Sequence, residues 1–210
     1  MPLIEIQSID KDAIWALWEI RENSDDLNQL SLCDKEQEEL SLIHNEKKRI
    51  EWLAARSALQ CIFSACQIEK KSVMKDGYGK PFLVGAPHHI SLAHSFPYAA
   101  ALFNTHHSAG IDLEKIQGKI LKISGKFLNQ QEKQFAGENL TLLTVIWCAK
   151  EALYKLYGKK RLIFKENLYI APFHLDMEGA FTGIIRIDDE EFVIPLYYRI
   201  MDGYVLCYTT

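Results

Sequence analysis

A strand pattern followed by a long helical pattern decides the fold class of this chain. Residues 108–116 read SAGIDLEKI, in which Ile and Leu alternate with acidic residues. Alternation with a period of two is typical of a strand that buries one face. Residues 129–158 read NQQEKQFAGENLTLLTVIWCAKEALYKLYG, and their apolar side chains recur every three or four positions. That spacing predicts amphipathic helix.

The helical segment carries its own start and stop signals. Asn129 is followed three residues later by Glu132, which predicts a helix N-cap with its reciprocal acid, and Gly137 predicts the end of that short helix. The longer helix that follows is predicted to bury one stripe, formed by Leu142, Ile146, Ala149, Leu153 and Leu156. Its opposite face is predicted to carry Trp147, Lys150, Glu151 and Lys155.

Working outward, the same two patterns recur in the rest of the chain. Residues 3–9 read as a strand, and the segment from about Asp34 to Gln67 reads as helical. The Gly- and Pro-rich residues 76–87 exclude helix. Further predicted strands are 88–95 and 98–103, separated by a turn at Pro97, and 169–175, 181–188, 191–200 and 204–210 near the C-terminus.

This order of elements predicts an α+β fold of two similar lobes in a pseudo-two-fold arrangement, each with a small antiparallel sheet packed on a long helix. The boundary is expected between Asn104 and Ser108, which divides the chain into residues 1–104 and 105–210. No internal sequence repeat accompanies the recurring order of elements.

Charge and composition exclude several classes of function. The chain has 210 residues, 24 Lys and Arg against 28 Asp and Glu, and a formal net charge of -4. Proteins that bind nucleic acid or anionic membranes usually carry an excess of positive charge, so neither partner is expected. The acidity is uneven, however, because residues 112–161 contain ten Lys and Arg against five Asp and Glu.

The cysteines and the hydropathy pattern predict a cytoplasmic protein. The five cysteines form an odd set without a C-x-x-C pair, which suits neither a disulfide framework nor a four-thiolate zinc site. The N-terminal residues show no secretory signal, and the most apolar window, Leu140 to Ala149, is too short to span a bilayer.

The acidic residues of the predicted strand 108–116 have two interpretations. Asp112 and Glu114 are two residues apart and therefore lie on the same face, either as ordinary solvated acids or as oxygen ligands for a hard divalent cation. To hold a cation, two carboxylates would need a third ligand group. If the polar face of the long helix lies opposite, Glu151 supplies that carboxylate, and Lys155 lies one turn away to meet a phosphate oxygen.

Three basic residues outside this region are also candidates. Lys80 occupies the turn GKPFL at residues 79–83, which is otherwise a plain surface turn. His94 lies in SLAHS at residues 91–95, where a structural hydrogen bond is the ordinary role. Arg56 follows the apolar stripe of the first long helix, so its guanidinium must either extend to water or find an anion.

Five of the seven histidines lie close together in the sequence, which raises the alternative of a zinc-dependent hydrolase. They are His88, His89, His94, His106 and His107. Neutral imidazole is a preferred zinc ligand. The spacing nevertheless matches neither the ligands of a zinc finger nor H-E-x-x-H on a helix.

Together, GKPFL at 79–83, SLAHS at 91–95, GIDLE at 110–114 and WCAKEALYK at 147–155 resemble the signature of the 4′-phosphopantetheinyl transferase superfamily. The presence of all four motifs in order in 210 residues is similar to the Sfp type, in which two similar lobes form one chain. The chain departs from the usual pattern at Ala93 and Cys148, where hydroxyl residues are common.

The resemblance implies an Mg²⁺-dependent enzyme that moves the 4′-phosphopantetheine arm of coenzyme A onto a serine of an apo acyl or peptidyl carrier protein and releases 3′,5′-ADP. Asp112, Glu114 and Glu151 would hold the metal on the pyrophosphate, and Lys155 would contact the phosphates. By the same resemblance, the residues expected to bind the phosphoadenosine end and neighbouring phosphates are Arg56, Lys80 and His94.

Chemistry adds a role for one of these acids and leaves alternatives open. The attacking serine needs a proton acceptor, and Glu151 is the first candidate. Lys150 lies about 100° away around the helix, and we expect it to organise the site by pairing with Glu132. The protein is expected to be a monomer. The alternatives are a non-catalytic scaffold of the same fold that binds carrier proteins, and the histidine-cluster hydrolase.

Overall fold

In a computed structural model, which describes residues 2–21, 27, 30–159 and 162–209, the chain forms two compact units, Met1–Ala109 and Gly110–Thr210. Each unit contains one antiparallel sheet and one long helix packed on it. The predicted α+β class with two antiparallel sheets is therefore confirmed. The two-fold relation between the lobes and the roles assigned to them stay predictions.

The N-terminal unit is built on the sheet order β1-β2-β6-β5-β4-β3. Its strands are β1 (Leu3–Ser8), β2 (Ala13–Glu19), β3 (Val73–Lys75), β4 (Pro81–Leu83), β5 (His89–Ser95) and β6 (Tyr98–Asn104). Its helices are α1 (Asp34–Ser41) and α2 (Glu46–Ala65). All adjacent strand pairs are antiparallel.

Small side chains let the long helix α2 approach this sheet closely. Ala99 and Ala101, on one face of β6, are completely buried, as are Ala54 and Ala58 of α2 in the same clusters. Alanine side chains at a helix–sheet interface leave little space between the two backbones, and larger residues such as Leu59 and Phe103 pack beside them.

Two expectations for the N-terminal half were wrong in detail. The helical region from Asp34 to Gln67 is interrupted, because Asn45 accepts a hydrogen bond from the backbone of Lys48 and caps a new helix. The strand β2 was not predicted. It lies between β1 and β6, so its apolar residues run almost continuously and show no alternation.

The C-terminal unit is built on the sheet order β7-β11-β10-β9-β8. Its strands are β7 (Ile111–Lys115), β8 (Leu168–Ile170), β9 (Glu178–Ile187), β10 (Glu190–Met201) and β11 (Tyr204–Thr209). Its helices are α3 (Lys119–Phe127), α4 (Gln130–Ala136), α5 (Leu140–Tyr157) and α6 (Phe164–Asn167). The core forms where α5 packs on β7 and β11.

The cap and the stop predicted for α4 are both present. The side chains of Asn129 and Glu132 each accept the other residue's backbone N–H at 2.9 Å, and Gly137 ends α4 at a positive φ of 53°.

Two elements of this half differ from the prediction. The predicted strand 169–175 is wrong beyond Ile170, and Pro172 lies just after it without a backbone donor for a ladder. The helix α3 was not predicted.

Within the part of the chain that the structure describes, no helix is both long and apolar enough to cross a membrane.

Candidate active site

The strand β7 presents two acids on one face and buries the residues between them. Ile111 and Leu113 are almost fully buried on one face, while Asp112 and Glu114 project from the other face, towards α5. Antiparallel pairing with β11 holds them in register, with Asp112 opposite Cys207. The alternation seen in the sequence thus corresponds to the real strand faces.

The helix α5 brings its own polar residues to these acids. Asn139 caps its N-terminus, and Gly158 ends it in the left-handed conformation. Trp147, Glu151 and Lys155 are spaced at four-residue intervals and therefore share one face of the helix. This face meets β7, which is the condition under which Glu151 lies beside the acids of the strand.

Two hydrogen-bonded contacts join the strand to the helix. The indole nitrogen of Trp147 donates to Glu114 Oε1 at 2.7 Å. Lys155 Nζ donates to Asp112 Oδ1 at 2.7 Å and to the carbonyl oxygen of Ile111 at 2.9 Å. Trp147 lies on the polar face of α5 because its indole nitrogen binds an acid of the strand.

A glycine at the start of β7 makes this close approach possible. A Cβ atom on Gly110 would lie 1.9 Å from the carbonyl oxygen of Ala152 in α5. Any side chain there would push the strand away from the helix. The Gly110 N–H donates to Thr209 Oγ1 at 2.9 Å, which fixes the same backbone from the side of β11.

The three acids Asp112, Glu114 and Glu151 are called here the carboxylate cluster, and burial and mutual repulsion raise the pKa of its two glutamates. Burial raises the pKa of Glu151 to about 7, assisted by the charges of Asp112 and Glu114 and opposed by Lys155. Burial also raises the pKa of Glu114, assisted by Asp112 and opposed by the Trp147 hydrogen bond.

The carboxylate cluster suits a hard divalent cation by its donor chemistry. Asp112 Oδ2 is buried and has no hydrogen-bond partner among the described residues, which is an uncommon and costly state for a carboxylate oxygen. A cation would satisfy this oxygen and relieve the repulsion among the three acids. As the side chains lie, however, no three described Asp, Glu, His or Cys residues are arranged to hold a metal ion.

The neighbouring Lys150 has a structural position that corrects the predicted helix face. It was expected on the exposed polar side of α5, yet its side chain has 0% exposure. Its Nζ lies 2.6 Å from Glu132 Oε2 and also donates to the carbonyl oxygens of Phe127 and Phe164. The expected pairing with Glu132 is therefore present, in the core of the unit.

Phe127, Phe164 and Lys119 lie near the carboxylate cluster and were not predicted from the sequence. The Trp147 ring lies 5.1 Å from that of Phe127 and 5.3 Å from that of Phe164, between ring centroids. Lys119 lies near enough to Glu114 to lower its pKa. Lys119 begins α3, a helix that the pattern analysis did not find, so nothing in the sequence placed it here.

In the N-terminal unit, Lys80 lies on a tight turn between β3 and β4. Asp76 Oδ1 accepts the backbone N–H groups of Tyr78 and Lys80, and Gly79 has a positive φ of 91°. The ammonium group donates to Ser108 Oγ. Burial lowers the pKa of Lys80 to about 8, although Asp76 opposes this shift.

His94 ends β5 beside the helix α2. Its Nδ1 lies 3.3 Å from Glu51 Oε2, and its side chain is 47% exposed. The other oxygen of Glu51 accepts the backbone N–H of Phe96 at 3.1 Å. Sequence reasoning missed Glu51, because one glutamate in a long helix carries no distinguishing signal.

Arg56 finds anions within its own unit and does not extend to water. Its guanidinium is buried within 3.5 Å of Glu36 and 3.4 Å of Glu39, both from α1, and lies 3.2 Å from the Trp52 ring centroid. Burial lowers the pKa of Arg56 to about 10, and the two glutamates oppose the shift. Extension to solvent, the ordinary expectation for this residue, is therefore wrong.

The clustered histidines make separate contacts. His88 Nδ1 lies 3.3 Å from the carbonyl oxygen of Thr105, and His106 Nε2 lies 3.5 Å from Asp12 Oδ1. Among the described residues they form no group of three ligands for a metal. The zinc alternative thus receives no support from the geometry.

All five cysteines are free thiols.

Comparison with known proteins finds a superfamily whose sequence pattern matches the segment that contains this site. Residues 108–208 match the model of the 4′-phosphopantetheinyl transferase superfamily. The matched segment contains β7 and α5, and with them the whole carboxylate cluster and Lys155.

A named relative agrees with the superfamily match. The chain is 27% identical over 135 residues, or 62% of its length, to the protein "4′-phosphopantetheinyl transferase gsp" of Aneurinibacillus migulanus. The aligned region is 54% of that protein, so the chain spans about half the length of the relative. The two comparisons thus point to the same superfamily.

Proposed function

We propose that this protein is an Sfp-type 4′-phosphopantetheinyl transferase that modifies a serine of an apo acyl or peptidyl carrier protein. The observation that carries the proposal is the carboxylate cluster with its unsatisfied Asp112 oxygen and the adjacent Lys155, inside the segment that matches the superfamily. Acids and a lysine side by side suit a metal-bound pyrophosphate better than they suit a scaffold.

In this proposal, Asp112, Glu114 and Glu151 hold Mg²⁺. The bound ion supplies charge neutralisation at the pyrophosphate of coenzyme A. Lys155 leaves Asp112 to bind a phosphate oxygen and stabilises negative charge on the leaving phosphate. In the N-terminal unit, Arg56, Lys80 and His94 bind the phosphoadenosine end. Arg56 would have to release a glutamate to do so.

The serine hydroxyl attacks the phosphorus that bears the pantetheine, the bond from this phosphorus to the bridging oxygen breaks, and 3′,5′-ADP leaves. Glu151 takes the serine proton. Burial raises its pKa to about 7 in the metal-free protein, and a bound cation would lower this pKa, so the role rests on the place of Glu151 in the carboxylate cluster.

The free thiols suit a reducing compartment, and we propose that the protein is cytoplasmic. We also propose that it is a monomer.

The deciding experiment adds purified protein, Mg²⁺ and coenzyme A to a panel of apo carrier proteins and measures their masses. We expect the mass of one phosphopantetheine on at least one of them. Glu151→Gln should abolish this transfer, while the control Glu138→Gln, at an exposed glutamate between α4 and α5, should retain it. Carrier protein binding that needs no coenzyme A, without any mass change across the panel, would establish the scaffold function instead.

A further inference from the structure

Glu51 of α2 joins the helix to the end of β5 through both oxygens of one carboxylate. Oε1 accepts the backbone N–H of Phe96 at 3.1 Å, and Oε2 lies 3.3 Å from His94 Nδ1. The carboxylate side chain is only 11% exposed, whereas the histidine ring is 47% exposed. The pair therefore has a buried member, which is the acid, and a partly exposed member, which is the imidazole ring.

The chemistry of the carboxylate determines where the imidazole keeps its proton. An ionised carboxylate only accepts hydrogen bonds, so the ring nitrogen that faces it must be a donor. With the proton held on Nδ1, a neutral ring carries a lone pair on Nε2 and cannot donate a hydrogen bond from that nitrogen. An anion there can be bound only if Nε2 is protonated as well, which makes the ring a cation that donates on both sides.

A second cation lies close to the same place. Lys47 precedes Glu51 by one helical turn on α2, and its Nζ lies 4.8 Å from the centroid of the Phe96 ring. Phe96 is 43% exposed. An exposed imidazole, an ammonium group and an exposed aromatic ring, with a buried acid behind them, form a surface suited to an anionic ligand.

We infer that Glu51 is a positioning residue that orients His94 and, by accepting a hydrogen bond from Nδ1, favours the doubly protonated ring, whose Nε2–H binds a phosphate of coenzyme A. This inference rests on the proposed function for its ligand. Glu51 does not touch the ligand and acts through the histidine. A purely structural role, in which Glu51 only secures the Phe96 backbone, would leave coenzyme A binding unchanged when that one bond is preserved.

Glu51→Gln separates the two roles. The amide oxygen of glutamine can still accept the Phe96 N–H, but its NH₂ group then faces His94 Nδ1 and requires that nitrogen to accept a hydrogen bond. We expect the KM for coenzyme A to rise about fivefold with little change in kcat, because one charge-assisted hydrogen bond is weakened. Glu46→Gln, an exposed glutamate of the same helix, is the matched control.

Two further measurements complete the test. Nitrogen-15 NMR of the His94 ring should show a protonated Nδ1 in the wild type and a shifted Nδ1 signal in Glu51→Gln. In His94→Gln, adding Glu51→Gln should raise the KM no further, since the residue through which Glu51 acts is gone.

The possible results distinguish this inference from the proposed function. If the wild type modifies a carrier protein and Glu51→Gln has the same KM for coenzyme A, the inference is wrong and the function stands. If Glu51→Gln raises the KM equally with and without His94, Glu51 acts by another route and the inference is also wrong. If the wild type neither binds coenzyme A nor modifies any carrier protein, both fail.

Discussion

At Asp112, one carboxylate oxygen is bound by Lys155 and the other is buried without a partner among the described residues. Buried polar atoms are normally satisfied, so this arrangement keeps a binding position available at a cost in stability. Lys80 has a similar character, since burial of its ammonium group lowers its pKa to about 8. In both residues, burial removes water from a polar group that water would otherwise solvate.

The first prediction concerns Lys80 and pH. The ammonium form binds phosphate, and in the free protein this form is lost as the pH rises through about 8. We therefore expect the KM for coenzyme A to rise by up to about tenfold between pH 7 and pH 9. Steady-state kinetics against pH would measure it. Lys80→Arg stays charged over this range and should remove the rise; an unchanged rise in that variant would assign it to another group.

Among the elements, α5 and β7 approach each other unusually closely, and the contact depends on Gly110. The same helix is anchored on its other side by the buried pair of Lys150 and Glu132, which also accepts the backbone N–H of Ile170 in β8. The position of Glu151 and Lys155 against the strand is thus determined by packing on two sides of one helix.

The second prediction is that Gly110→Ala destabilises the protein by about 1–3 kcal/mol, because the new methyl group overlaps the carbonyl oxygen of Ala152. Activity should fall with it as the strand moves from the helix. Gly125→Ala in α3 is the control. No atom lies near its added Cβ, and it should stabilise the protein by about 0.5–1 kcal/mol. Urea unfolding measures both, and equal effects would refute the close-approach argument.

The third prediction concerns the buried pair. Lys150→Met leaves Glu132 buried without its cation, and we expect a loss of about 3–5 kcal/mol in the free energy of unfolding. Lys133→Met, at an exposed lysine of α4, should change stability by less than about 0.5 kcal/mol. Chemical denaturation of the two variants makes the comparison. A small loss in Lys150→Met would mean that the pair lies in contact with water.

At the scale of the whole molecule, each unit has its own sheet, long helix and core. The overall net charge of -4 conceals the basic segment 112–161 in which the carboxylate cluster lies. Folding brings the three acids of the carboxylate cluster together, which the net charge does not show. A cation that binds only the folded state should therefore stabilise it.

The fourth prediction is that Mg²⁺ raises the midpoint of thermal unfolding, with a gain of about 2.7 kcal/mol at a hundredfold excess over its Kd. Asp112→Asn should abolish this shift, because it removes one of the three carboxylates that would hold the ion. Calorimetry with added Mg²⁺ or a chelator would measure the effect. An equal Mg²⁺ shift in Asp112→Asn would show that the ion binds elsewhere.

The sequence alone determined features that depend on a few neighbouring residues. The cap at Asn129, the stop at Gly137 and the alternating faces of β7 followed directly from backbone geometry and side-chain spacing. The candidate acids were found the same way, since two of them alternate on a strand and the third lies one turn from Lys155 on a helix.

Only the tertiary structure decided which faces are covered and which partners meet. Lys150 is buried although its helix position reads as polar, and Lys155 reaches an aspartate 43 residues away. Glu51 and His94 belong to separate elements, so no local pattern joined them. Periodicity determines the direction of a side chain from its own backbone, whereas its partner is determined by elements distant in the sequence that pack against it.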